Sequence, residues 1–440
     1  MAELASASSI RVPISVLRIT ETLEQAGFET WLVGGGVRDA LMGHLQLDWD
    51  LATAARPEHV QRLFRRTVPV GIRFGTVGVL DENGRLHEVT TFRRDVDTDG
   101  RHAIVEYGAS LDEDLARRDF TINAIAFHPN RGLRDPYDGR ADLQRGIVRA
   151  VGEPEERMRE DRLRALRAIR FAARLGFRIE PVTWDAIVAS APSLPRLSPE
   201  RVRQEIEKTM DQVRQPGSAF RLWQSSGALA ALIPELQVSE RALSAMDGVA
   251  QPANRHWESR RLLRIAALFL DGSGEEAERV LRALRFPNTQ AAWVAALVDH
   301  ATTAGARVGE TLLVSGSATD RDIRQWAAQV GRTRLAAVLR LCAADWCAAR
   351  ERGARAPSGA VIRSVYRRAI RIAYRDPVQI SDLAIDGHDL QALGVRAGPQ
   401  IRKLQTALLD RVLEDPVHNS RDTLLDLARR MVHAADASQN

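Results

Sequence analysis

The chain has 440 residues, of which 45% are hydrophobic and 27% are charged, and its formal net charge is +5 at pH 7. That composition is typical of a soluble globular protein, and the length suits about two to four domains. No apolar run approaches the roughly 20 residues that cross a bilayer, and the N-terminal stretch MAELASASSIRVPIS does not match a signal peptide. We therefore expect no membrane partner.

Arginine carries almost all of the positive charge, because lysine occurs only at positions 208 and 403 and arginine supplies the other 60 of the 62 basic residues. Genomic codon bias would explain most of these arginines. Phosphate binding is the alternative, since a guanidinium pairs with phosphate through two parallel hydrogen bonds. Cys342 and Cys347 suit neither a disulfide framework nor a zinc site, so we expect reduced cysteines in a cytoplasmic protein.

In the first third of the chain, short apolar runs alternate with turn residues. The segments TWLVGGG, LDWDLAT, GTVGVLD and LHEVTTF predict strands, DENG predicts a hairpin turn, and RPEHVQRLFRR predicts an amphipathic helix. From residue 151 onwards, apolar residues recur at helical spacing almost to the C-terminus. The sequence therefore predicts an α/β head over residues 1–150, followed by all-helical segments.

Three acidic residues in the head predict a cation site. Asp48 and Asp50 flank Trp49 on a predicted strand, so both carboxylates point to one face. Neighbouring carboxylates repel each other unless a cation lies between them, and hard oxygen ligands suit Mg²⁺. Glu88, in the middle of LHEVTTF, is the candidate third carboxylate of a two-metal site; an exposed hairpin residue is the alternative.

A glycine turn and an arginine pair predict phosphate contacts. The glycines before Arg38 would let backbone N–H groups approach a triphosphate. In EDLARRDFTINAIAF, Arg117 to Asn123 form a predicted turn that leads into an apolar helix. The alternative is a solvated helix face with Asp112 as its cap.

A third segment, EDRLRALRAIRFAARLGF, places one acid and three arginines at intervals of three. Asp161, Arg164, Arg167 and Arg170 would follow one edge of a helix beside an apolar stripe. The alternative is an exposed ladder of ion pairs, which contributes little to stability.

Together, these motifs resemble the class II tRNA nucleotidyltransferase and bacterial poly(A) polymerase family, which belongs to the polymerase β-like nucleotidyltransferases. The resemblance covers most of residues 30–430. It rests on Gly-Gly-x-Val-Arg-Asp followed by Asp-x-Asp ten residues after Arg38, on Arg-Arg-Asp-x-x-x-Asn-Ala at 117–124, and on Glu-Asp-x-x-Arg at 160–164.

The resemblance implies an α/β nucleotidyltransferase head followed by an all-α neck, body and tail. The head would cover residues 1–150 with its catalytic core at about 30–150. A neck at 151–215 would carry the nucleotide-selecting motif. A body at 216–375 and a tRNA-binding tail at 376–440 would complete the chain.

The same resemblance implies roles for individual residues. Asp48 and Asp50 would bind the metal ions, Glu88 would be the third catalytic acid, and Gly35 and Arg38 would hold the incoming nucleotide.

Further roles follow from the second and third motifs. Arg118 would contact the phosphates or sugar, while Asp119 and Asn123 would shape the sugar pocket. Asp161 with Arg164 would select the base. Two more arginines could meet the triphosphate or the RNA backbone, namely Arg167 and Arg170.

An acid and an arginine can together imitate a template base. Cytosine and adenine both present an amino donor beside a ring-nitrogen acceptor, which a carboxylate and a guanidinium can bind. Guanine and uracil present the reverse pattern and would leave both side chains unpaired, at about 1–3 kcal/mol each. The pair Asp161 and Arg164 would thus accept C and A and reject G and U.

Three further segments favour the complete CCA-adding form. GIRFGTVGV resembles the tRNA-repair form, although Phe74 replaces the usual histidine. Residues 91–107 resemble the flexible loop of complete CCA-adding enzymes, and PERVRQEIEKTM resembles a helix-capping element with Ser198 as N-cap.

Leu270 precedes Asp271 where some relatives have the His-Asp pair of a phosphohydrolase, so we predict no such activity.

We therefore predict addition of CCA to the 3′ end of tRNA from CTP and ATP by Mg²⁺-dependent two-metal transfer, with release of pyrophosphate. An A-adding or poly(A)-adding relative and a non-catalytic RNA-binding module are the alternatives. Arg367, Arg371 and Arg402 are candidate tRNA contacts in the helical part. No obligate protein partner is evident.

Overall fold

A computed structural model describes residues 10–44, 49–98, 103–249 and 257–437. The chain forms two compact units, Met1–Arg214 with Ser218–Glu235 and Gln215–Gly217 with Leu236–Asn440. The predicted head and neck fall in the first unit apart from Gln215, and the predicted body and tail fall in the second apart from 218–235. The four-part division of the chain stays a prediction. Within the described ranges, each helix is too short or too polar to cross a bilayer.

The strands all lie in the first unit of the described chain. They are β1 Thr30–Val33, β2 Asp50–Thr53, β3 Thr67–Gly71, β4 Thr76–Leu80, β5 Leu86–Thr91, β6 Arg93–Thr98, β7 Ala103–Tyr107, β8 Ala126–His128, β9 Gly132–Arg134, β10 Ile147–Val148 and β11 Arg178–Ile179. The four predicted strands are confirmed as β1, β2, β4 and β5, and the DENG turn joins β4 to β5.

One mixed sheet organises the head. Its strand order is β3-β4-β5-β2-β1-β8-β9, in which β2 runs parallel to β5 and the other neighbours are antiparallel. Strand β1, which lies inside the sheet between β2 and β8, is buried along its whole length, which explains its unbroken apolar run. On one face, Trp31, Val33 and Ala52 join a core that includes Leu115 and Phe92. Hydrophobic burial therefore fixes the middle of the sheet.

Short helices cover the sheet and continue beyond it. In the first unit they are α1 Ile14–Gln25, α2 Gly35–Leu41, α3 Pro57–Leu63, α4 Leu111–Ala116, α5 Gly139–Arg145, α6 Pro154–Glu160, α7 Leu163–Leu175, α8 Pro181–Ser190, α9 Pro199–Gln212 and α11 Ala228–Leu232. Helix α10, Pro216–Ser225, contains the point where the two units divide. The amphipathic helix predicted from RPEHVQRLFRR is confirmed as α3.

The structure corrects two predicted helices. The apolar helix expected after Asn123 is wrong, because a 3₁₀ turn at Thr121–Asn123 leads into strand β8 instead. The single helix expected from residue 160 is also wrong. Asp161 has φ −144° and ψ 102°, so α6 ends before it and α7 begins after it. Asp161 therefore does not share a helix edge with the three arginines.

Two capping predictions have different outcomes. Ser198 is the N-cap residue of α9 with Pro199 at the first helical position, as predicted, although its side chain makes no capping hydrogen bond. Ser110, and not Asp112, caps α4: its Oγ accepts from the backbone N–H of Glu113. Asp112 points to Arg134, whose Nε donates to it at 2.8 Å.

The segment that resembles a flexible loop contains a two-stranded antiparallel hairpin, β6 with β7. Arg94 and Glu106 face each other across it, and Arg94 Nη2 lies 2.7 Å from Glu106 Oε2. The residues that connect the two strands, 99–102, lie outside the described ranges.

The second unit is helical throughout its described ranges. It contains α12 Glu240–Gly248, α13 Trp257–Ala267, α14 Gly274–Ala283, α15 Asn288–His300, α16 Ala306–Ser315, α17 Asp320–Val330, α18 Arg332–Glu351, α19 Gly359–Arg375, α20 Gly387–Ala392, α21 Pro399–Glu414 and α22 Arg421–Ala437. A bidentate ion pair joins α12 to α18, since Arg241 donates twice to Asp345 at 2.6 Å. Cys342 and Cys347 lie on α18 and are free thiols, as predicted.

Candidate active site

The chain turns sharply at Gly34, between β1 and α2. Gly34 has φ 71° and ψ −138°, a conformation that glycine adopts readily because it lacks a Cβ. A Cβ at this position would lie 3.0 Å from Arg118 Nη1 and 3.6 Å from Asp50 Oδ2. An arginine and a carboxylate from distant segments therefore come close to this turn. Because residue 34 is glycine, the space next to them is not occupied by a side chain.

Two of the three predicted acids lie side by side on the sheet. Asp50 begins β2 and Glu88 lies in the middle of β5, and both side chains are exposed. Strand β2 pairs in parallel with β5, with Leu51 opposite Val89. Continuing this register by one residue places Asp50 beside Glu88 on the same face. Asp48 lies outside the described residues, so its place beside them stays a prediction.

Arg38 lies inside the protein next to the glycine turn. It is 2% exposed; its Nε donates to Asp39 Oδ1 and its Nη1 donates to Asn123 Oδ1, both at 2.6 Å. Its Nη2 would lie 3.5 Å from a Cβ at Gly35. Asp39 is held in turn by Arg174 of α7, at 3.0 Å. In this conformation Arg38 supports the turn and joins it to Asn123.

Asp119 connects the Arg-Arg-Asp turn to α7. Its Oδ1 accepts from Asn123 Nδ2 at 3.0 Å, and its Oδ2 accepts from Arg167 Nε and Nη2 at 2.8 and 2.6 Å. Burial opposes ionisation of Asp119, but the charge of Arg167 and the hydrogen bonds from Asn123 and Arg167 together hold the pKa of the carboxyl below its usual value. An ionised pair therefore joins the turn to α7.

The ring of Phe171, on α7, lies against the guanidinium groups of three arginines. The guanidinium carbons of Arg38, Arg167 and Arg170 lie 5.1, 5.4 and 4.5 Å from the centre of its ring, within the range of cation–π attraction. These distances place the ring between Arg38 of α2 and the two arginines of α7.

Arg170 is buried and bonded within the protein. It is 3% exposed, and it donates to Glu205 at 2.5 Å and to Gln212 at 2.9 Å, both on α9. Burial lowers the pKa of Arg170, and the Glu205 carboxylate opposes this effect. A contact between Arg170 and a phosphate would require this pair to open.

Asp161 and Arg164 lie beside the Arg-Arg-Asp turn, but they are also bonded. Asp161 Oδ1 accepts from the N–H of Leu163 at 3.1 Å, and Oδ2 accepts from Arg201 Nη2 at 2.8 Å. Arg164 donates through Nη1 to Glu160 at 2.6 Å and through Nη2 to the carbonyl oxygen of Arg117 at 2.8 Å. The carboxylate is partly exposed, while the arginine is buried.

Sequence reasoning missed residues that hold this site together. Phe171 was not singled out, although it directly follows Arg170 in the sequence. Asp114 was not singled out, although it precedes Arg118 by four residues, a spacing that pairs charges on a helix. Nothing in the spacing of Arg201 and Asp161 signals their ion pair, because 40 residues separate them.

Three family models match successive parts of the chain. The poly A polymerase head domain matches residues 30–149. The model described as the RNA and SrmB-binding site of polymerase A matches residues 176–239. The model described as tRNA nucleotidyltransferase domain 2 matches residues 256–428.

Comparison with individual proteins gives one consistent group. A CCA-adding enzyme of Geobacillus stearothermophilus is 34% identical over 411 residues, which cover 93% of this chain and 94% of that protein. A CCA-adding enzyme of Leuconostoc mesenteroides is 49% identical over 194 residues, 44% of this chain and 48% of that protein. The crystal structure of the Bacillus stearothermophilus CCA-adding enzyme in complex with CTP is 32% identical, with a TM-score of 0.75 over 96% of this chain and 98% of that one.

Proposed function

Since the chain belongs to the CCA-adding enzyme family, we propose that it adds C, C and A to the 3′ end of tRNA from CTP and ATP and releases pyrophosphate. The observation that carries the proposal is the 34% identity to a CCA-adding enzyme over 93% of the chain. The alternatives are an A-adding or poly(A)-adding enzyme and an RNA-binding module without activity.

We propose that Asp48, Asp50 and Glu88 hold Mg²⁺. The described residues fit such an ion, because Asp50 and Glu88 offer exposed carboxylate oxygens on one face and a Cβ-free turn lies beside Asp50. When bound, Mg²⁺ supplies positive charge for the phosphates and lowers the pKa of a coordinated hydroxyl. The family is generally metal-dependent, and the choice of Mg²⁺ belongs to this proposal.

The residues around Gly34 would receive the triphosphate. Arg118 directs Nη1 towards the turn, where a phosphate oxygen would replace the missing side chain and bind the guanidinium. The backbone at Gly35 begins α2 and can approach the same oxygen atoms. Arg38 would hold this backbone from inside, and Asn123 with Asp119 would form the adjoining sugar pocket. Arg167, bound to Asp119, would order that pocket.

Asp161 and Arg164 would read the base. Each carboxylate oxygen can accept more than one hydrogen bond, so Asp161 can accept from a base amino group while it keeps Arg201. Arg164 Nη2 carries a second N–H besides the one donated to Arg117, and we assign this donor to the ring nitrogen. Arg170 joins α7 to α9 through Glu205, and it would keep the helix that carries Arg164 in place.

Helix α19 of the second unit offers a surface for the tRNA backbone. Its buried side consists of Ile362, Val365, Ala369, Ile372 and Ala373. Its opposite side exposes four arginines at intervals of four, Arg363, Arg367, Arg371 and Arg375. The helix contains no acidic residue, so phosphates are the counter-charge that this face fits. Arg402 is also exposed, on α21. We propose these arginines as contacts to tRNA, and a cytoplasmic location stays a prediction.

A tRNA transcript that ends at the discriminator base tests the function. It is incubated with Mg²⁺ and labelled CTP, ATP or both, with Asp50→Ala as the inactive control. We expect CC from CTP alone and CCA from the mixture. A single A or a long A tail would select the first alternative. A folded protein that binds tRNA but incorporates nothing would favour the RNA-binding module.

A further inference from the structure

Asp114 is a buried carboxylate to which no role has been given above. It lies on α4, and its side chain is 1% exposed. Its Oδ1 accepts from Arg117 Nε and Nη2 at 3.0 and 2.7 Å, and its Oδ2 accepts from Arg118 Nη2 at 3.2 Å. One carboxylate therefore binds the guanidinium groups of two consecutive arginines.

Helix α4 is anchored at its start and along its buried side. Ser110 and Glu113 form a capping box, in which the Ser110 N–H donates to Glu113 Oε2 at 2.7 Å. Leu111 and Leu115 are part of the hydrophobic core. Because α4 is only six residues long, these anchors rather than helix propensity determine where Asp114 points.

Arg118 depends on this carboxylate for its direction. Its Nη2 binds Asp114, while its Nη1 donates to the carbonyl oxygen of Asn123 at the longer distance of 3.4 Å. The bond to Asp114 joins opposite charges and is the stronger of these two. With Nη2 held in this way, Nη1 lies 3.0 Å from the point where a Cβ at Gly34 would be.

The charges of the three side chains also suit an anion. Burial opposes ionisation of Asp114, but the charges and hydrogen bonds of Arg118 and Arg117 together hold the pKa of the carboxyl below its usual value. One carboxylate between two guanidinium groups leaves a single net positive charge beside the glycine turn. Without that acid, the two partly exposed guanidinium groups would repel each other and spread apart.

We propose that Asp114 is a positioning residue for the incoming nucleoside triphosphate, which holds Arg118 over Gly34 before the phosphates arrive. The inference rests on the proposed function, since it specifies how that site orders its phosphate-binding arginine. Arg117 extends the effect, because its Nε also donates to the carbonyl oxygen of Arg93 at the start of β6, at 3.1 Å. Asp114 therefore also orients Arg117, which binds the backbone at the start of the β6–β7 hairpin.

The experiment measures the dissociation constants of CTP and ATP by calorimetry, without tRNA, for Asp114→Asn, Arg118→Ala and the double variant. Asp112→Asn is the matched control, because Asp112 lies on the same helix and is also paired with an arginine, Arg134. We expect Asp114→Asn to weaken both nucleotides about tenfold, since a hydrogen bond to a charged group is lost. The control should bind as the wild type does, and Asp114→Glu should recover part of the loss.

The double variant separates positioning from general stability. If Asp114 acts through Arg118, Asp114→Asn should add little to the loss caused by Arg118→Ala. Equal weakening in both backgrounds, or an unchanged dissociation constant in Asp114→Asn, would overturn the proposal. Thermal unfolding checks that each variant is folded, and Asp114→Asn keeps the size and shape of the side chain. A wild type that binds CTP but adds nothing to tRNA would defeat the proposed function, while the binding cycle would still test Asp114.

Discussion

Helices α7 and α19 have similar compositions but use their arginines in opposite ways. Both are amphipathic and arginine-rich, LRALRAIRFAARL and GAVIRSVYRRAIRIAYR. On α7, Arg164 and Arg170 are buried, and the arginines bind acids from other segments, such as Asp119 and Glu205. On α19, four arginines are exposed on the side opposite the buried residues.

The difference teaches that arginine content alone does not identify a phosphate-binding surface. An arginine that meets an acid inside the protein has its charge balanced, and it builds the site by orienting its neighbours. An exposed arginine on a helix without acids keeps its charge for a partner. Stability should therefore depend on the α7 pairs, and RNA affinity should depend on the α19 face.

The largest effect is expected where a buried pair is broken. Glu205→Ala would leave Arg170 buried without its acid, and we expect a loss of about 3–5 kcal/mol in the free energy of unfolding. Urea unfolding measures it, with Arg371→Ala on α19 as the exposed control. A Glu205→Ala protein as stable as the wild type would remove the distinction between the two helices.

The converse experiment replaces the arginines of α19. Substituting Arg363, Arg367, Arg371 and Arg375 by alanine should weaken tRNA binding by at least about tenfold at low salt. The plot of log affinity against log salt should become less steep by about 3, since each phosphate contact contributes roughly 0.7–0.9 to the slope. The free energy of unfolding should not change.

A pair of exposed arginines that face acids on their own helices serves as the matched control. Arg282 and Arg430 are bound to Glu278 and Asp426, so their removal should leave the salt slope unaltered. If the loss of affinity for each charge removed were the same in the two-residue control and in the four-residue α19 variant, the effect would be one of net charge and not of a particular face.

Asp161 is intermediate between the buried ion pairs of α7 and the exposed arginines of α19, because it is partly exposed and bound to Arg201. Asp161→Ala should leave the protein folded and relax the choice of base, so that misincorporation of G and U rises about tenfold or more as the unpaired-group penalty of 1–3 kcal/mol is lost. Single-nucleotide incorporation with each of the four triphosphates measures this. Unchanged fidelity for C and A over G and U would contradict the template role.

The smallest effect concerns a buried acid that is held without a guanidinium. Burial opposes ionisation of Asp81, but the backbone N–H of Arg85 and the ring of His87 bind the carboxylate and lower its pKa from 3.8 to about 2. Since the folded-state pKa is depressed, its stabilisation is present above pH 3.8 and is lost as the pH falls towards 2. The melting temperature of the wild type should therefore fall more steeply over this range than that of Asp81→Asn. Parallel curves would show that the bonds to Asp81 contribute nothing.

Much of the head could be predicted from local patterns. The buried strand β1 reads as an apolar run, and the alternation of Trp49 and Asp50 shows which residue is buried. Helix α3 and the DENG turn follow from proline, glycine and apolar spacing. These features depend on residues close together in the chain, so composition and period are sufficient.

The predictions failed where contacts distant in sequence decided the conformation. The segment after Asn123 is apolar and reads as a helix, but pairing with β1 makes it strand β8. Asp161 continues a helical pattern, but its bonds to Leu163 and Arg201 accompany a break in the helix. In both places an interaction with another segment outweighs a weak local preference.

The sequence by itself determined the chemistry of the site, because its motifs contain the carboxylates, glycines and arginines in recognisable order. Only the tertiary structure decided which of these groups face each other. It placed Arg118 and Asp50 at Gly34, bound Asp119 to Arg167, and set Asp114 between two arginines. The physical reason is that ion pairs and hydrogen bonds act over a few ångströms, and the packing of the core determines which residues come that close.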